Sequence, residues 1–395
     1  MESLSAMPST ELSLSAGSIE RMEQFPGKLG LQQRVIPAYR APFFDRLASA
    51  CTGGLGVFAG EPGSGEGIYP ADRLEAARLF PARNLNLASA SSPFYVGWQA
   101  GLLDWLRAWD PDVLIVETNP RSLSTLRGIR WMNARRRPVI GWGLGAPPMQ
   151  GGLSFVSRPW RDRLIHDCDG LIAYSRRGAE EYARIGFPPE RIAVAANAVA
   201  MAPTRPAPER PLALHDRVTI LFVGRLQARK RVDQLLEACS SLPAELQPRV
   251  WIVGEGPVRA ELEALSKEIY PRAEFFGARH GEELAAIFAS ADLFVLPGTG
   301  GLAVQEAMAA GLPVIVAEGD GTQNDLVSAG NGWLIPPEDK AALQQALREA
   351  LDDLPRLRRM GEESYRIVSE EINLEKMVEA FVRTANRIMS LGIKS

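Results

Sequence analysis

Two basic residues follow a short apolar run in the second half of the chain. The run at 218–223, Val-Thr-Ile-Leu-Phe-Val, has the β-branched and aromatic content of a strand and leads into Gly224, Arg225 and Lys230. Ligands of open α/β sheets bind beyond the carboxyl ends of the strands, so we expect Arg225 and Lys230 to face one crevice. A guanidinium and an ammonium fixed together suit a diphosphate. The alternative for these residues alone is a solvated basic turn.

A glycine-rich loop follows the apolar run at 293–296. It consists of Gly298, Thr299, Gly300, Gly301 and Leu302. The loop opens a short predicted helix, whose first backbone amides are free to bind phosphate oxygens. Glu306 lies about one turn inside this helix and would repel phosphate unless it faces hydroxyl groups. We therefore expect Glu306 to accept hydrogen bonds from a ribose diol, the alternative being a solvated acid near a helix start.

Two further strand ends carry glycines. The run at 250–253 continues into Gly254-Glu255-Gly256-Pro257, and the run at 273–276 ends at Gly277. Because glycine has no Cβ, a ligand can lie close to the backbone at such positions. Each turn is ordinary by itself, and we expect both to border the crevice that holds Arg225.

Strand-length apolar runs recur along the whole chain with helical patterns between them. The predicted strands are 55–58, 113–116, 139–142, 170–173, 218–223, 250–253, 273–276, 293–296 and 314–317. Alternation of this kind indicates βαβ units and parallel sheets, hence an α/β fold. Beyond Lys340 the pattern is helical, and 374–389 is amphipathic.

The chain is long enough for two domains, and its composition marks the boundary between them. Residues 201–211 contain four prolines and no apolar periodicity, as expected of an extended surface segment. We predict a flexible tail at 1–27, a first Rossmann-like domain at 28–200, a linker at 201–212 and a second Rossmann-like domain at 213–373. Residues 374–395 are predicted to form a helix that packs toward the first domain.

Charge and cysteine usage exclude several classes of function. Lys and Arg number 44 against 47 Asp and Glu, a net charge of −3, which argues against a broad nucleic-acid surface. The three cysteines lie far apart, so neither a disulfide framework nor a zinc site is indicated. No stretch reads as a signal peptide or a membrane-spanning helix, which predicts a cytoplasmic protein.

Several motifs of the second half, taken in their order and spacing, resemble the donor domain of retaining family-4 glycosyltransferases with the GT-B fold. The motifs are Gly224-Arg225-Leu226 with Lys230, Gly254-Glu255-Gly256-Pro257, Phe276-Gly277, the run 291–297, and Glu306-Ala307-Met308-Ala309. Fainter matches lie upstream, at Tyr39-Arg40-Ala41-Pro42-Phe43-Phe44, Ala173-Tyr174-Ser175 and Val194-Ala195-Ala196-Asn197-Ala198.

The resemblance implies two facing Rossmann-like domains, with a nucleotide sugar on the second domain and an acceptor mainly on the first. UDP- and GDP-sugars are the expected donors. Arg225 and Lys230 match the family pair that neutralises the diphosphate leaving group, and Glu306 matches the acid that holds the nucleotide ribose. Transfer is expected with retention of configuration and without a metal or other cofactor, onto a hydroxyl of a glycan or a lipid-linked sugar.

The sequence departs from the family at two positions. The family has two glutamates with seven residues between them, and the first of these falls on Gly298 in this chain. The backbone amides of Thr299 to Leu302, another loop, or no group at all then contact the transferred sugar, and we favour the amides. A family histidine after the strand 139–142 is replaced by Gly143-Leu144-Gly145, so no general base is assigned.

In the first domain the candidates are weaker. Glu117 and Asn119 follow the strand 113–116 and are expected to meet the acceptor hydroxyl, with a loop or helix-capping role as the alternative. Tyr39 and Arg40 are added on the acceptor side from the resemblance. The departures also favour a protein of another class, a non-catalytic scaffold or partner subunit that binds nucleotide sugars or glycans. A nicotinamide-dependent oxidoreductase is a weaker rival.

Basic and aromatic residues alternate around 127–137 and again at 158–163, without an acid in the first stretch. Such a mixture can lie on an anionic lipid surface, which would place the protein at the inner face of the membrane and favour a lipid-linked acceptor. A solvated protein face is the simpler explanation. No feature of the sequence specifies an oligomeric state.

Overall fold

The first domain is built on an eight-stranded sheet. The computed structural model describes residues 23–63, 66, 68–88, 92, 95–148, 154–211 and 217–392. The strands are β1 (Leu29–Gln32), β2 (Leu55–Gly60), β3 (Arg78–Asn86), β4 (Gly97–Ala100), β5 (Val113–Glu117), β6 (Val139–Gly143), β7 (Gly170–Ala173) and β8 (Ile192–Val194). Their order is β4-β3-β2-β1-β5-β6-β7-β8. Only the β3–β4 pair is antiparallel among these strands.

Helices connect the strands of this first sheet. They are α1 (Ala41–Ser49), α2 (Leu102–Trp109), α3 (Leu123–Asn133), α4 (Ser154–His166) and α5 (Arg176–Arg184). The parallel order requires such crossovers, because a parallel neighbour cannot be reached through a tight turn. Loops at the carboxyl ends of β1 and β5 consequently lie side by side, since these two strands are neighbours at the centre of the sheet.

The second domain has a six-stranded sheet that is parallel throughout. Its strands are β9 (Thr219–Val223), β10 (Arg249–Val253), β11 (Ala273–Gly277), β12 (Leu293–Leu296), β13 (Val314–Ala317) and β14 (Gly332–Ile335). Their order is β11-β10-β9-β12-β13-β14. The helices are α6 (Val232–Ser240), α7 (Arg259–Ile269), α8 (Gly281–Ser290), α9 (Ala303–Ala309), α10 (Thr322–Leu326), α11 (Lys340–Asp352), α12 (Leu354–Glu370) and α13 (Leu374–Leu391). The chain therefore has the predicted fold, two Rossmann-like α/β domains.

The last helix, α13, lies on the first domain. Its buried side chains share one apolar cluster with α1 and with strands of the first sheet. Phe381 is completely buried, and its ring centroid lies 4.9 Å from that of Phe43 and 5.0 Å from that of Trp142. The chain thus crosses between the domains twice, once at each end of the second domain.

The last five residues of the predicted tail, 23–27, are part of the folded structure. Phe25 is fully buried and pairs with Cys51 in an isolated β-bridge, so residues 23–27 belong to the folded domain. Residues 1–22 of the predicted tail lie outside the described residues. The proline-rich linker is fastened to the second domain by Arg210, whose guanidinium donates to the carbonyls of Phe288, Ala291 and Gly311.

Hydrogen bonds between the described residues join the two domains at two places. At the first, the amide of Arg176 at the start of α5 donates to Asp325 of α10 across 2.8 Å. At the second, residues 197–199 at the end of the first domain meet α9, where the amide of Val199 donates to Gln305 Oε1 at 2.9 Å. Beside this contact the two crossing segments are tied together, since the amide of Leu374 donates to the carbonyl of Ala200 at 2.9 Å.

Candidate functional site

A buried ammonium lies at the carboxyl edge of the second sheet. Lys230 is only 7% exposed, and its Nζ donates to the carbonyl of Thr299 at 2.9 Å. In the described part of the chain no carboxylate pairs with Lys230. Burial, and then the neighbouring charge of Arg229, lowers the pKa of Lys230 to about 8. Its ammonium group therefore remains mostly charged at neutral pH.

The glycine-rich loop closes over this lysine. The amide of Thr299 donates to the carbonyl of Arg229 at 3.1 Å, and Arg229 Nη1 donates to the carbonyl of Thr299 at 3.3 Å. Gly300 has a φ of +74°, and a Cβ built there would lie 3.4 Å from Arg229 Nη1 and 3.5 Å from Lys230 Nζ. The backbone of Gly300 is thus in contact range of two cations. Arg229 was not among the residues expected from the sequence.

Gly298 has no space for a side chain. A Cβ at this position would lie 2.2 Å from the carbonyl oxygen of Arg229 and 2.6 Å from Cα of Lys230. Real Cβ atoms do not approach backbone so closely. The turn that carries Lys230 therefore occupies the space that a glutamate at position 298 would need. The packing of the loop therefore accommodates glycine at position 298 and not the glutamate of the family pattern.

The three glycines that end neighbouring strands are brought together. The amide of Gly224 donates to the carbonyl of Val253 at 3.0 Å, and the amide of Gly254 donates to that of Gly277 at 2.8 Å. A Cβ at Gly254, where φ is +141°, would lie 1.9 Å from the carbonyl oxygen of Gly224. Beside them Arg225 is exposed, and no hydrogen bond or ion pair ties it to another residue of the described ranges.

Glu306 projects from α9, a helix of seven residues whose Val304, Ala307 and Met308 are buried. The Glu306 side chain itself is exposed, and partial desolvation by its surroundings raises its pKa. The sequence favoured the amides of Thr299 to Leu302 as the sugar contact. Thr299 cannot act in this way here, because its amide is bonded to the carbonyl of Arg229. Gly301 takes the left-handed conformation, with a φ of +142°.

In the first domain, Glu117 ends β5 beside the loop that follows β1. The amide of Arg34 donates to Glu117 Oε2 at 3.1 Å, and Arg34 also forms a two-bond ion pair with Glu66. Burial raises the pKa of Glu117 to about 7, against the smaller lowering effects of the Arg34 amide and charge. A carboxyl group with this pKa exchanges protons near neutral pH.

The other first-domain candidates have structural partners. Asn119 accepts a hydrogen bond from the amide of Arg121 at 3.0 Å, so it closes a turn. Tyr39 is 49% exposed, but Arg40 is buried, and its guanidinium lies 5.8 Å from the Trp142 ring centroid. Arg40 also donates to Asn197 Oδ1. Arg40 therefore supports the segment that leaves the domain, and its acceptor-side role stays a prediction.

Two of the three residues that replace the family histidine have no space for a side chain. A Cβ at Gly143 would lie 1.9 Å from Oγ1 of Thr118, and one at Gly145 would lie 2.5 Å from Glu181 Oε2. Neither glycine can become a larger residue without rearrangement of its neighbours. Leu144 between them is 47% exposed, so packing does not close that position.

One buried residue of α9 was not singled out from the sequence. Gln305 is 2% exposed and bonds to the backbone of residues 197–199 in the first domain. Its only signal in the sequence is a polar residue at a helix position that faces inward, next to Glu306. Periodicity alone does not distinguish such a residue from a solvated one.

Two protein-family models match the chain, one on each domain. The model of "Glycosyltransferase Family 4" matches residues 59–202, and that of "Glycosyl transferases group 1" matches residues 205–367. The two models together take in both domains, so each domain of the chain is similar to a glycosyltransferase domain. The junction between the two matched regions falls within the proline-rich linker.

Individual relatives match parts of this chain. A GDP-mannose-dependent alpha-mannosyltransferase of Mycobacterium tuberculosis is 42% identical over 118 residues, 29% of each chain. The putative colanic acid biosynthesis glycosyltransferase WcaL of Salmonella typhimurium is 33% identical over 210 residues, which cover 48% of this chain and 50% of the relative. The matches thus span half of these relatives' own length or less.

A solved structure shows the same fold over nearly the whole chain. Anabaena Alr3699/HepE in complex with UDP has a TM-score of 0.67 at 16% identity, with 91% of this chain and 99% of that chain covered. At this identity the likeness concerns the GT-B fold. The match includes both domains, so their relative arrangement also follows a known pattern.

The basic stretch of the first domain is better paired than the sequence indicated. Arg137 forms an ion pair with Asp110 at 2.5 Å, and Arg158 and Arg161 both pair with Asp162. Arg135 stacks on Trp131, with 3.8 Å from its guanidinium carbon to the ring centroid. Among the described residues, no helix is long and apolar enough to cross a bilayer, and no cluster of three or more His, Cys, Asp or Glu side chains could hold a metal ion.

Proposed function

We propose that the protein is a glycosyltransferase, which transfers a sugar from a nucleoside-diphosphate sugar bound to the second domain. The carrying observation is the buried ammonium of Lys230, which pairs with no carboxylate of the described residues and lies against the backbone of a glycine-rich loop. A buried charge without a counter-ion is costly, so a site of this kind is suited to an anion. A diphosphate supplies that anion, with Arg225 free to reach it from the surface.

The same cations would assist bond cleavage. Negative charge builds on the diphosphate as the glycosidic bond breaks, so Lys230 and Arg225 contribute more in the transition state than in the ground state. Transfer with retention follows if the departing phosphate accepts the proton of the incoming hydroxyl on the same face. Glu306 is proposed to hold the ribose, and no metal takes part. NMR of the product anomer tests retention of configuration, and assays in EDTA test whether a metal is needed.

The acceptor is proposed to be a hydroxyl of a glycan or lipid-linked sugar at the first domain, near Glu117. The relatives support UDP- or GDP-sugars as donors, since one is named as GDP-mannose-dependent and a structural neighbour holds UDP. Contact with the cytoplasmic face of an anionic membrane belongs to the proposal too. Flotation with anionic vesicles tests that contact.

A panel of UDP- and GDP-sugars in thermal-shift assays, followed by turnover, tests the donor site. Lys230→Met should lower turnover about tenfold to 150-fold, because loss of a charged partner of a buried anion costs roughly 1.5–3 kcal/mol. Lys267→Met, at an exposed position on α7, is the matched control and should behave as the unaltered protein. If the two variants had equal turnover, the assignment of the diphosphate to this pocket would be wrong.

The closed position at Gly298 favours a second candidate, a non-catalytic protein that binds a nucleotide sugar. That protein would lack the acid that contacts the transferred sugar in the family, and packing leaves no place to restore it. Binding of a nucleotide sugar without hydrolysis or transfer would support this candidate. Turnover that depends on Lys230 would exclude it.

A further inference from the structure

The side chain of Gln305 connects the helix of the donor site to the first domain. Its Nε2 donates to the carbonyl of Asn197 at 2.6 Å, and its Oε1 accepts from the amide of Val199 at 2.9 Å. A carboxamide can donate one hydrogen bond and accept another at the same time, as a peptide group does in a sheet. Gln305 is 2% exposed, so neither bond competes with water.

The contacted segment is also fixed from the other side. Arg40 donates to Asn197 Oδ1, and the guanidinium carbon of Arg40 lies 5.8 Å from the Trp142 ring centroid and 5.9 Å from that of Tyr174. The amide of Asn197 donates to the carbonyl of Tyr174 at 3.3 Å. Residues 197–199 are therefore held by the first domain and present their backbone to α9.

Gln305 directly precedes Glu306, the proposed ribose ligand. Val304 and Met308 bury the rest of α9 in the second domain, whereas Gln305 turns toward the first. One short helix thus touches the donor site through one residue and the first domain through the residue before it. Displacement of this helix relative to residues 197–199 would change the distance between donor and acceptor.

We propose that Gln305 is a positioning residue that aligns the donor site with the acceptor domain. The inference rests on the proposed function, and concerns alignment and not donor binding. Transfer to an acceptor held by the first domain needs this alignment. Hydrolysis of the same donor by water does not. The ratio of transfer to hydrolysis is therefore the quantity that Gln305 controls.

Gln305→Met tests the proposal, because Met keeps the length of the side chain and removes both hydrogen bonds. Donor hydrolysis and transfer to a panel of octyl glycosides are measured with the nucleotide sugar that stabilises the unaltered protein. We expect transfer kcat to fall about tenfold, the effect of roughly one net hydrogen bond. Hydrolysis and the Kd for UDP or GDP should stay within about twofold of the original values.

Glu375→Gln is the matched control. Glu375 also joins the two crossing segments, since it accepts from the amide of Ala202 at 3.0 Å and pairs with Arg46 at 3.2 Å, but it does not touch α9. Its variant should keep the original ratio of transfer to hydrolysis. If both variants lower the ratio equally, any loosening of the linker suffices and Gln305 has no particular role.

Hydrogen–deuterium exchange gives a readout that needs no acceptor. The amide of Val199 should exchange faster in Gln305→Met, and Asn197→Ala, which removes only the bond from Arg40, should produce the same change to a smaller extent. Unchanged exchange together with an unchanged transfer ratio would overturn the proposal. If the unaltered protein bound neither UDP nor GDP, the proposed function would be wrong. The contact between the domains would not be affected by that result.

Discussion

At the scale of single residues, Gly298 is fixed by what lies behind it. The carbonyl of Arg229 occupies the place of its Cβ, and the adjacent amide of Thr299 is bonded to the same carbonyl. The loop and the turn that carries Lys230 therefore pack together as one unit. Lys230 can take its position because Gly298 has no side chain. Enlargement of position 298 must move that unit.

Gly298→Ala should therefore weaken binding of UDP or GDP about tenfold or more, a loss of about 1.4 kcal/mol, through displacement of Lys230. The measurement is isothermal titration with the nucleotide that protects the unaltered protein. Gly330→Ala serves as control, since a Cβ there would find its nearest neighbour at 3.4 Å. If the Gly298 variant kept the original affinity, the turn at 228–230 could move without any loss of nucleotide binding.

Glu117 links a buried carboxyl to the pH dependence of stability. Its pKa in the folded protein, about 7, lies above the usual value of 4.5, so folding favours the protonated form. The stability that this group contributes is fully present below pH 4.5 and is lost as the pH rises through 7.

Glu117→Gln removes the titration and keeps an oxygen for the amide of Arg34. The variant should gain roughly 1–3 kcal/mol over the unaltered protein between pH 5 and pH 8, as urea unfolding at a series of pH values would show. Glu180→Gln, at an exposed site on α5, should follow the unaltered protein throughout. A gain that does not depend on pH would contradict the raised pKa.

Some residues could be chosen from the sequence and others could not. Lys230 and Glu306 were found because they follow strand ends in a family-like order. Gln305 and Arg229 were missed, since their partners are backbone groups of residues distant in the sequence or in another loop. The closed space at Gly298 is likewise invisible in a sequence, because it depends on how the turn at 228–230 folds back.

At the scale of elements, the strands with continuous β-branched and aromatic runs were correctly predicted, β5 and β12 among them. The central strand β1 was missed because Gly30 and the buried Gln32 interrupt its apolar residues. β14 (Gly332–Ile335) was missed as well. Pairing on both sides stabilises β1, and that information lies in distant strands.

Helix α13 has the amphipathic pattern expected of it, and its apolar side belongs to the core of the first domain. Phe381→Ala should destabilise the protein by about 3–5 kcal/mol, the usual cost of a large aromatic cavity. Thermal unfolding measures the loss. Met389→Ala on the same helix, where the side chain is 39% exposed, should change stability by less than about 0.5 kcal/mol. A mild effect of the Phe381 change would mean that α13 is not part of this core.

At the scale of the whole molecule, the two domains meet through few side chains. The contacts between α5 and α10, and between α9 and residues 197–199, each use backbone amides or carbonyls as one partner. Backbone groups exist at every position, so no residue pattern marks where such contacts form. The division into two α/β units was therefore readable from the sequence, whereas the points at which they join were not.

The course of the chain also has a consequence for biosynthesis. The strands of the first domain leave the ribosome before the second domain, whereas the helix that completes their apolar core, residues 374–391, is translated after it. During elongation Phe43 and Trp142 therefore lack the cover of this helix until the second domain has been synthesised. The core of the first domain can be completed only then, whereas the apolar core of the second domain does not include α13.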